Sequence, residues 1–301
     1  MKLDRILCPV DFSETSTAAL QTAGRLAKTL NAELTVLHAQ RWEYPVYFTL
    51  SQTRTLQAHL RKSERAARKY FEGFVKRNLP VELHRKVAFV EEDPVTAILR
   101  LSGELGADLI VMGTHGRKGW SRFRLGSVLE DVLRQAEIPV LAVGPGVQSK
   151  GLEAGFAAIL CPVNFSAPSR TTLELAAYLA GRTSASLTVL HVVEAGSKPD
   201  VSVITMRNQL CDWVKSEAEG QCVTEEIVRR GSVVEAIAHE AEKIRSDLLV
   251  IGARSRQSLG AIMFGTTTEA LIRSAPCPVL VVGERRVGGK PVRTGETIQR
   301  K

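Results

Sequence analysis

Ile6-Leu7-Cys8-Pro9-Val10-Asp11-Phe12-Ser13 and Ile159-Leu160-Cys161-Pro162-Val163-Asn164-Phe165-Ser166 agree at seven of eight positions across a spacing of 153 residues. The same spacing aligns Leu34-Thr35-Val36-Leu37-His38 with Leu187-Thr188-Val189-Leu190-His191. Further along it falls to 139, pairing Ala107-Asp108-Leu109-Ile110-Val111-Met112-Gly113 with Ser246-Asp247-Leu248-Leu249-Val250-Ile251-Gly252, and Pro139-Val140-Leu141 with Pro278-Val279-Leu280. Several blocks matching in register mark a tandem duplication. The fall in spacing gives the first copy 14 extra residues, which we assign to Arg41–Arg54.

Each copy alternates short apolar runs with amphipathic stretches, giving five strands separated by four helices. Strands that are apolar throughout suit a parallel sheet covered on both faces. Ser13 precedes a periodic stretch with Ala19, Leu20, Ala23, Leu26, Ala27 and Leu30. Asp93-Pro94 opens another helix in cap-then-proline order, and its counterpart Ser232-Val233-Val234-Glu235 has the capping-box pattern. In such a doubly wound fold, ligands are expected outside the carboxyl ends of the strands. The fifth strands, Ile138–Val143 and Cys277–Val282, close each unit and are expected at its edge, and long apolar edges invite pairing.

The 301 residues, 44% hydrophobic and 24% charged, suffice for two domains with their own cores, expected at 1–146 and 156–284. A basic tail, 285–301, is expected to be flexible. Five cysteines without C-x-x-C spacing argue against a disulfide framework or a zinc site. Cys8, Cys161 and Cys277 fit core positions. The opening MKLDRILCPVDFS is too short an apolar run for a secretory leader, and no stretch is long enough to span a membrane. A reducing cytoplasm is the expected location. The net charge of +8 gathers in the tail and in residues 54–86, where ten Lys and Arg face three Glu. Leu56, Leu60, Ala67, Phe71, Phe74 and Val75 recur there at helical spacing, so the charges form a solvated helix face and nucleic acid is not the expected partner. Trp42, Tyr44, Tyr47 and Phe48 make the extra segment the most aromatic part of the chain, and a lid, a partner surface and plain packing all remain open for it.

After the fourth strand of the first copy, Gly113-Thr114-His115-Gly116 is followed nine residues later by Gly126-Ser127, and Ser127-Val128-Leu129-Glu130 has the capping-box pattern. Glycines allow close backbone approach and positive φ, and a helix amino end attracts oxyanions. The plain alternative is that these glycines turn the chain and cap a helix.

The pattern G-x2-G-x9-G-[S/T] after an apolar strand, with P-x-D ending the first strand, resembles the nucleotide-binding signature of the universal stress protein family, and it does so in both copies. That resemblance implies two tandem Rossmann-like domains of the adenine nucleotide alpha hydrolase type, each a five-stranded parallel sheet with helices on both faces. It also implies a cytoplasmic, usually dimeric, ATP-binding stress-response module whose dimer contact is made by the fifth strand, so that here the two copies pair with each other through their fifth strands across a pseudo-twofold axis. By the same resemblance Pro9, Val10 and Asp11 lie against the adenosine, Asp11 toward ribose or base, and Ala39 walls the adenine. Met112, Gly113, His115, Gly116, Gly126, Ser127 and Val128 surround ribose and phosphates, with Mg²⁺ or Mn²⁺ carried by the phosphates and no metal held by the protein. Asp11 could instead cap a helix, and His115 could be an ordinary loop residue.

The second copy departs from the pattern. Asn164 replaces Asp11 and Ser255 replaces Gly116, while Gly252, Gly265, Thr266 and Thr267 keep the spacing. A second, weaker site is expected there, and tolerance of Ser255 would let both fill. No Walker lysine and no acidic pair accompanies the glycine loop, so the leading expectation is a binding module. The alternatives are a slow ATPase and a nucleotide-independent adaptor meeting an unknown protein partner. A homodimer of the whole chain is compatible with the sequence.

Overall fold

A computed structural model describes residues 2–41, 50–115, 125–145, 155–194, 203–217, 225–253 and 265–283, with residues 50–62 described by backbone alone. The first half runs β1 (Arg5–Pro9), α1 (Glu14–Leu30), β2 (Glu33–Ala39), α2 (Leu50–Asn78), β3 (Arg85–Val90), α3 (Pro94–Glu104), β4 (Leu109–Gly113), α4 (Ser127–Gln135) and β5 (Val140–Val143). The second repeats it as β6 (Ala158–Val163), α5 (Ala167–Thr183), β7 (Ser186–Val193), α6 (Val203–Glu217), β8 (Glu225–Arg230), α7 (Val233–Lys243), β9 (Leu248–Gly252), α8 (Thr266–Ser274) and β10 (Val279–Val282). The aromatic segment 42–49, Cys222 and the basic tail lie outside the described residues.

The strands form one ten-stranded sheet, ordered β3-β2-β1-β4-β5-β10-β9-β6-β7-β8. Within each half every ladder is parallel, whereas β5 and β10 run antiparallel. Leu141 stands opposite Leu280, its own equivalent at the spacing of 139, so a local twofold axis passes through that pair. The antiparallel junction turns the carboxyl ends of the two halves toward opposite rims of the sheet. The fifth strands are shorter than their apolar runs, and Cys277 precedes β10.

Alternating side chains build two apolar layers. Ile6, Cys8, Leu141 and Leu280 face α1, α2, α5 and α6. Leu7, Val140 and Val279 face α3, α4, α7 and α8. Helix α2 buries Phe71, Phe74 and Val75 and leaves Arg65, Arg68, Lys69, Lys76 and Arg77 exposed, the amphipathic arrangement read from its spacing. Cys8 and Cys161 are buried in the first layer, where burial pushes both thiols up, Cys161 to about 12.

Two aspartates tie the halves together internally in matching ways. Asp108 accepts from the amides of Asp4 and Arg5 at 2.9 and 3.0 Å, and Asp247 accepts from Ala157 and Ala158 at 2.7 and 3.1 Å. Each therefore fixes where the first strand of its half begins. Across the local axis, Arg182 donates to the carbonyl of Leu30, the last residue of α1.

Candidate functional site

At the rim of the first half the chain leaves β1 through a sharp corner. Phe12 takes φ of 67°, a left-handed conformation that strains a bulky residue, and Phe165 repeats it at 59°. Packing stabilises the corner: the Phe12 ring lies 4.5 Å from His38 and 5.1 Å from both Tyr70 and Phe74. Beneath it His38 Nδ1 donates to the Val10 carbonyl at 2.7 Å, a partner that can only accept and so fixes the proton on Nδ1. Across the corner, Asp11 Oδ1 accepts from the amide and hydroxyl of Ser13 at 3.1 and 2.6 Å. Ser13 in turn caps α1, accepting from the Ser16 amide.

A chain of hydrogen bonds carries this corner to the glycine loop. The His115 carbonyl accepts from the hydroxyls of Ser13 and Thr15, and the Gly126 amide donates to the Thr114 carbonyl at 2.8 Å. Asp11, Gly113, His115, Gly126 and Ser127 are thereby gathered at one rim. Ala39 ends β2 beside them, whereas the Met112 and Val10 side chains are buried in the core, leaving only their backbone to face a ligand. His115 Nδ1 pairs with the Thr114 hydroxyl at 2.9 Å, while its buried Nε2 has no partner among the described residues. Gly116 lies outside the described residues.

The second half repeats the frame with different chemistry. His191 Nδ1 donates to the Val163 carbonyl at 2.9 Å, and the Phe165 ring lies 4.5 Å from His191 and 5.6 Å from Trp213. A cavity of about 480 Å³ opens at this rim, bordered by Asn164, Gly252, Gly265, Thr266 and Thr267 with an apolar wall behind them. Arg254 and Ser255 lie outside the described residues.

Residues 2–144 and 155–283 each match the Universal stress protein family. The chain belongs to that family. Among its relatives, a universal stress protein of Methanocaldococcus jannaschii is 32% identical over 144 residues, covering 46% of this chain and 81% of the relative. One from Mycobacterium tuberculosis is 25% identical over 300 residues, covering 93% of this chain and 96% of its own. The crystal structure of a universal stress protein from Archaeoglobus fulgidus shares the fold over 95% of this chain and all of its own, with a TM-score of 0.69 at 24% identity.

Several features of this universal stress protein differ from what its sequence suggests. Neither Gly113, Gly126, Gly252 nor Gly265 has a positive φ; the described glycines that do are Gly106, Gly155 and Gly231. Gly113 is required for a different reason, since a Cβ there would stand 2.7 Å from the Thr15 carbonyl carbon and 2.9 Å from the Ser16 amide. A Cβ on Gly265, by contrast, would meet nothing within 4 Å. The capping boxes are also absent: Gly126 rather than Ser127 occupies the cap of α4, and Ser232 caps α7 without a side-chain hydrogen bond. In the sequence His38 and His191 fill ordinary strand positions, and only the recurrence of a histidine at the spacing of 153 marks the role that both play beneath the corner. Among the described residues no cluster of His, Cys, Asp or Glu is arranged to hold a metal, and no helix is long and apolar enough to cross a membrane.

Proposed function

We propose that the first half binds ATP at the carboxyl ends of β1, β2 and β4, and that the bound nucleotide is a state signal for a two-domain stress-response protein rather than a substrate. The observation that carries this reading is His115: its buried Nε2 lacks a partner among the described residues, in the loop that leads to the first turn of α4, and a buried polar atom left unpaired calls for a ligand. The donor set fits a polyphosphate. Ser127, Val128 and Leu129 head α4, where amides have no preceding turn to bond, and the helix dipole favours an anion. Pro9 and Val10 supply backbone beneath the adenosine, Ala39 walls the adenine, and Asp11 receives ribose hydroxyls. Met112, Gly113, His115, Gly116, Gly126, Ser127 and Val128 enclose ribose and phosphates, with Mg²⁺ or Mn²⁺ carried by the phosphates.

The working units are 1–146 and 156–284, with 285–301 outside both. They act as an intrachain pair joined along β5 and β10, in the cytoplasm. Amides and hydroxyls bind phosphate without activating water, so ADP release should stay near background with added Mg²⁺. The direct test is to denature freshly purified protein, count released adenine nucleotide per chain, and titrate stripped protein with ATP and Mg²⁺. About one ATP per chain is expected, and no binding in the titration overturns the reading. The cavity in the second half favours a further reading in which that half is also occupied.

A further inference from the structure

The two rims differ at the residue that follows the first strand, and the difference reverses what each can offer a ligand. Asp11 carries a carboxylate, which can only accept hydrogen bonds. Asn164 carries a carboxamide on the same corner, and its orientation is fixed. One side-chain atom faces the Ser166 amide at 3.3 Å; because that amide only donates, the atom is the oxygen. The same Oδ1 accepts from the hydroxyls of Ser166 at 2.5 Å and Ser169 at 2.7 Å. Its lone pairs are therefore spent within the protein. Nδ2, with two hydrogens to give, has no partner among the described residues, and Asn164 borders the cavity.

Around it the cavity is built for a particular kind of molecule. Its volume of about 480 Å³ lies within the range of small-ligand sites. Val192, Val233, Ile237, Ile251 and Leu271 form its apolar wall. On the α8 side stand Thr266 and Thr267, offering hydroxyls and the leading amides of the helix, and Gly265 leaves the approach open. Glu194, beyond the end of β7, is the one charged residue among the described lining, so an anionic group is directed toward α8 and away from it.

We propose that this second cavity selects phosphate esters whose far end presents a hydrogen-bond acceptor, and that it has no requirement for a ribose diol. The oxyanion sits at the head of α8, and Asn164 Nδ2 donates to the acceptor. A carboxylate can pair only with a group that gives a hydrogen, so an analogue lacking the ribose hydroxyls leaves it unpaired, whereas a donated N–H is satisfied by any acceptor, a hydroxyl oxygen, ring oxygen or ring nitrogen alike. The inference rests on the reading that the strand ends hold ligands, but it concerns the other half of the chain.

The test uses the full chain with ATP and 2′,3′-dideoxy-ATP, which lacks both ribose hydroxyls, and locates each by hydrogen exchange. Dideoxy-ATP is expected to bind at one equivalent and to slow exchange in 159–170 and 263–272. Asn164→Asp should raise the preference of this cavity for ATP over dideoxy-ATP at least tenfold. Asp11→Asn should make the reciprocal change in the first half. Both exchanges place on the corner a residue already carried by the equivalent corner, and circular dichroism verifies folding. Failure of dideoxy-ATP to protect the second half, or an unchanged preference in Asn164→Asp, overturns the proposal. Failure of ATP to protect 8–16 and 125–132 overturns the first-half reading alone, because the two readouts come from separate segments.

Discussion

In the first half Val90 and Leu101 pack against the layer that α3 and α4 share with the sheet, whereas at the equivalent positions of the second half Arg229 Nε donates to Glu240 at 2.7 Å. Lys243 adds a second contact to Glu240 at 3.2 Å. Glu240 is fully buried, and Arg229 and Lys243 reach water. Burial alone would raise the Glu240 carboxyl, but the hydrogen bonds from Arg229 and Lys243 and their charges outweigh it and hold the group below its ordinary 4.5. One backbone thus accommodates an apolar pair or an ion cluster at the same place. The comparison teaches that fold and local chemistry are separable here: the duplication preserves the frame while individual positions change sign, charge or polarity.

The largest effect should come from the paired glycines. Gly113→Ala drives a Cβ into backbone atoms that cannot move aside and is expected to cost about 3 kcal/mol in denaturant unfolding. Gly252→Ala should cost about 1 kcal/mol, because its nearest obstacle is the Thr172 hydroxyl at 2.9 Å and the backbone is 3.6 Å away. Equal costs would show that the two strand-end contacts are equivalent after all. Next, Glu240→Ala should destabilise by about 2 kcal/mol, less than for a wholly buried pair because Arg229 is partly hydrated. Replacing Arg229 and Glu240 together by the first half's Val and Leu should bring stability back close to the parent, and a double variant as weak as the single would remove the equivalence.

The same cluster makes an acid signature. A carboxyl whose folded value is depressed contributes stability that is fully present above its unfolded value and is lost as pH falls through the lowered one. The parent should therefore lose stability relative to the Val–Leu double variant below about pH 4.5. Denaturation midpoints measured from pH 7 to pH 3 would show this, and parallel curves would contradict it. The smallest contrast concerns helix caps. Asp93 accepts from the amides of Val95 and Thr96, both at 3.1 Å, so Asp93→Ala should cost about 1 kcal/mol. Ser232→Ala, at a cap with no side-chain bond, should fall within about 0.5 kcal/mol of the parent in the same assay.

Element order was legible because apolar runs and amphipathic stretches differ in period, and the repeat supplied each reading twice. That β5 and β10 end their units as apolar edges was legible from the residues, whereas their meeting each other followed only from the family resemblance. The strand-end corner and glycine motifs were legible as positions in the sequence, but what holds each of them in the fold was not. Gly113 looks like an anion-loop glycine, yet what demands it is the start of α1, distant in sequence and close only after folding. Ser127 and Ser232 satisfy a cap pattern that depends on hydroxyl orientation, which spacing does not encode. His38 fits its strand by pattern, and only the folded chain sets the Val10 carbonyl against its Nδ1 and the Phe12 ring against its face.

The ladder centred on Leu141 and Leu280 has a consequence for how such a protein can change. Two separate copies that associate through one edge must be identical, so any substitution at one rim appears at the other, and their pairing weakens on dilution. Joined in a single chain, the partners stay together at any protein concentration, because each is held at a high effective concentration of the other. Backbone symmetry is then retained where the edges meet, while each rim is free to change its side chains on its own, and Asp11 and Asn164 record that freedom.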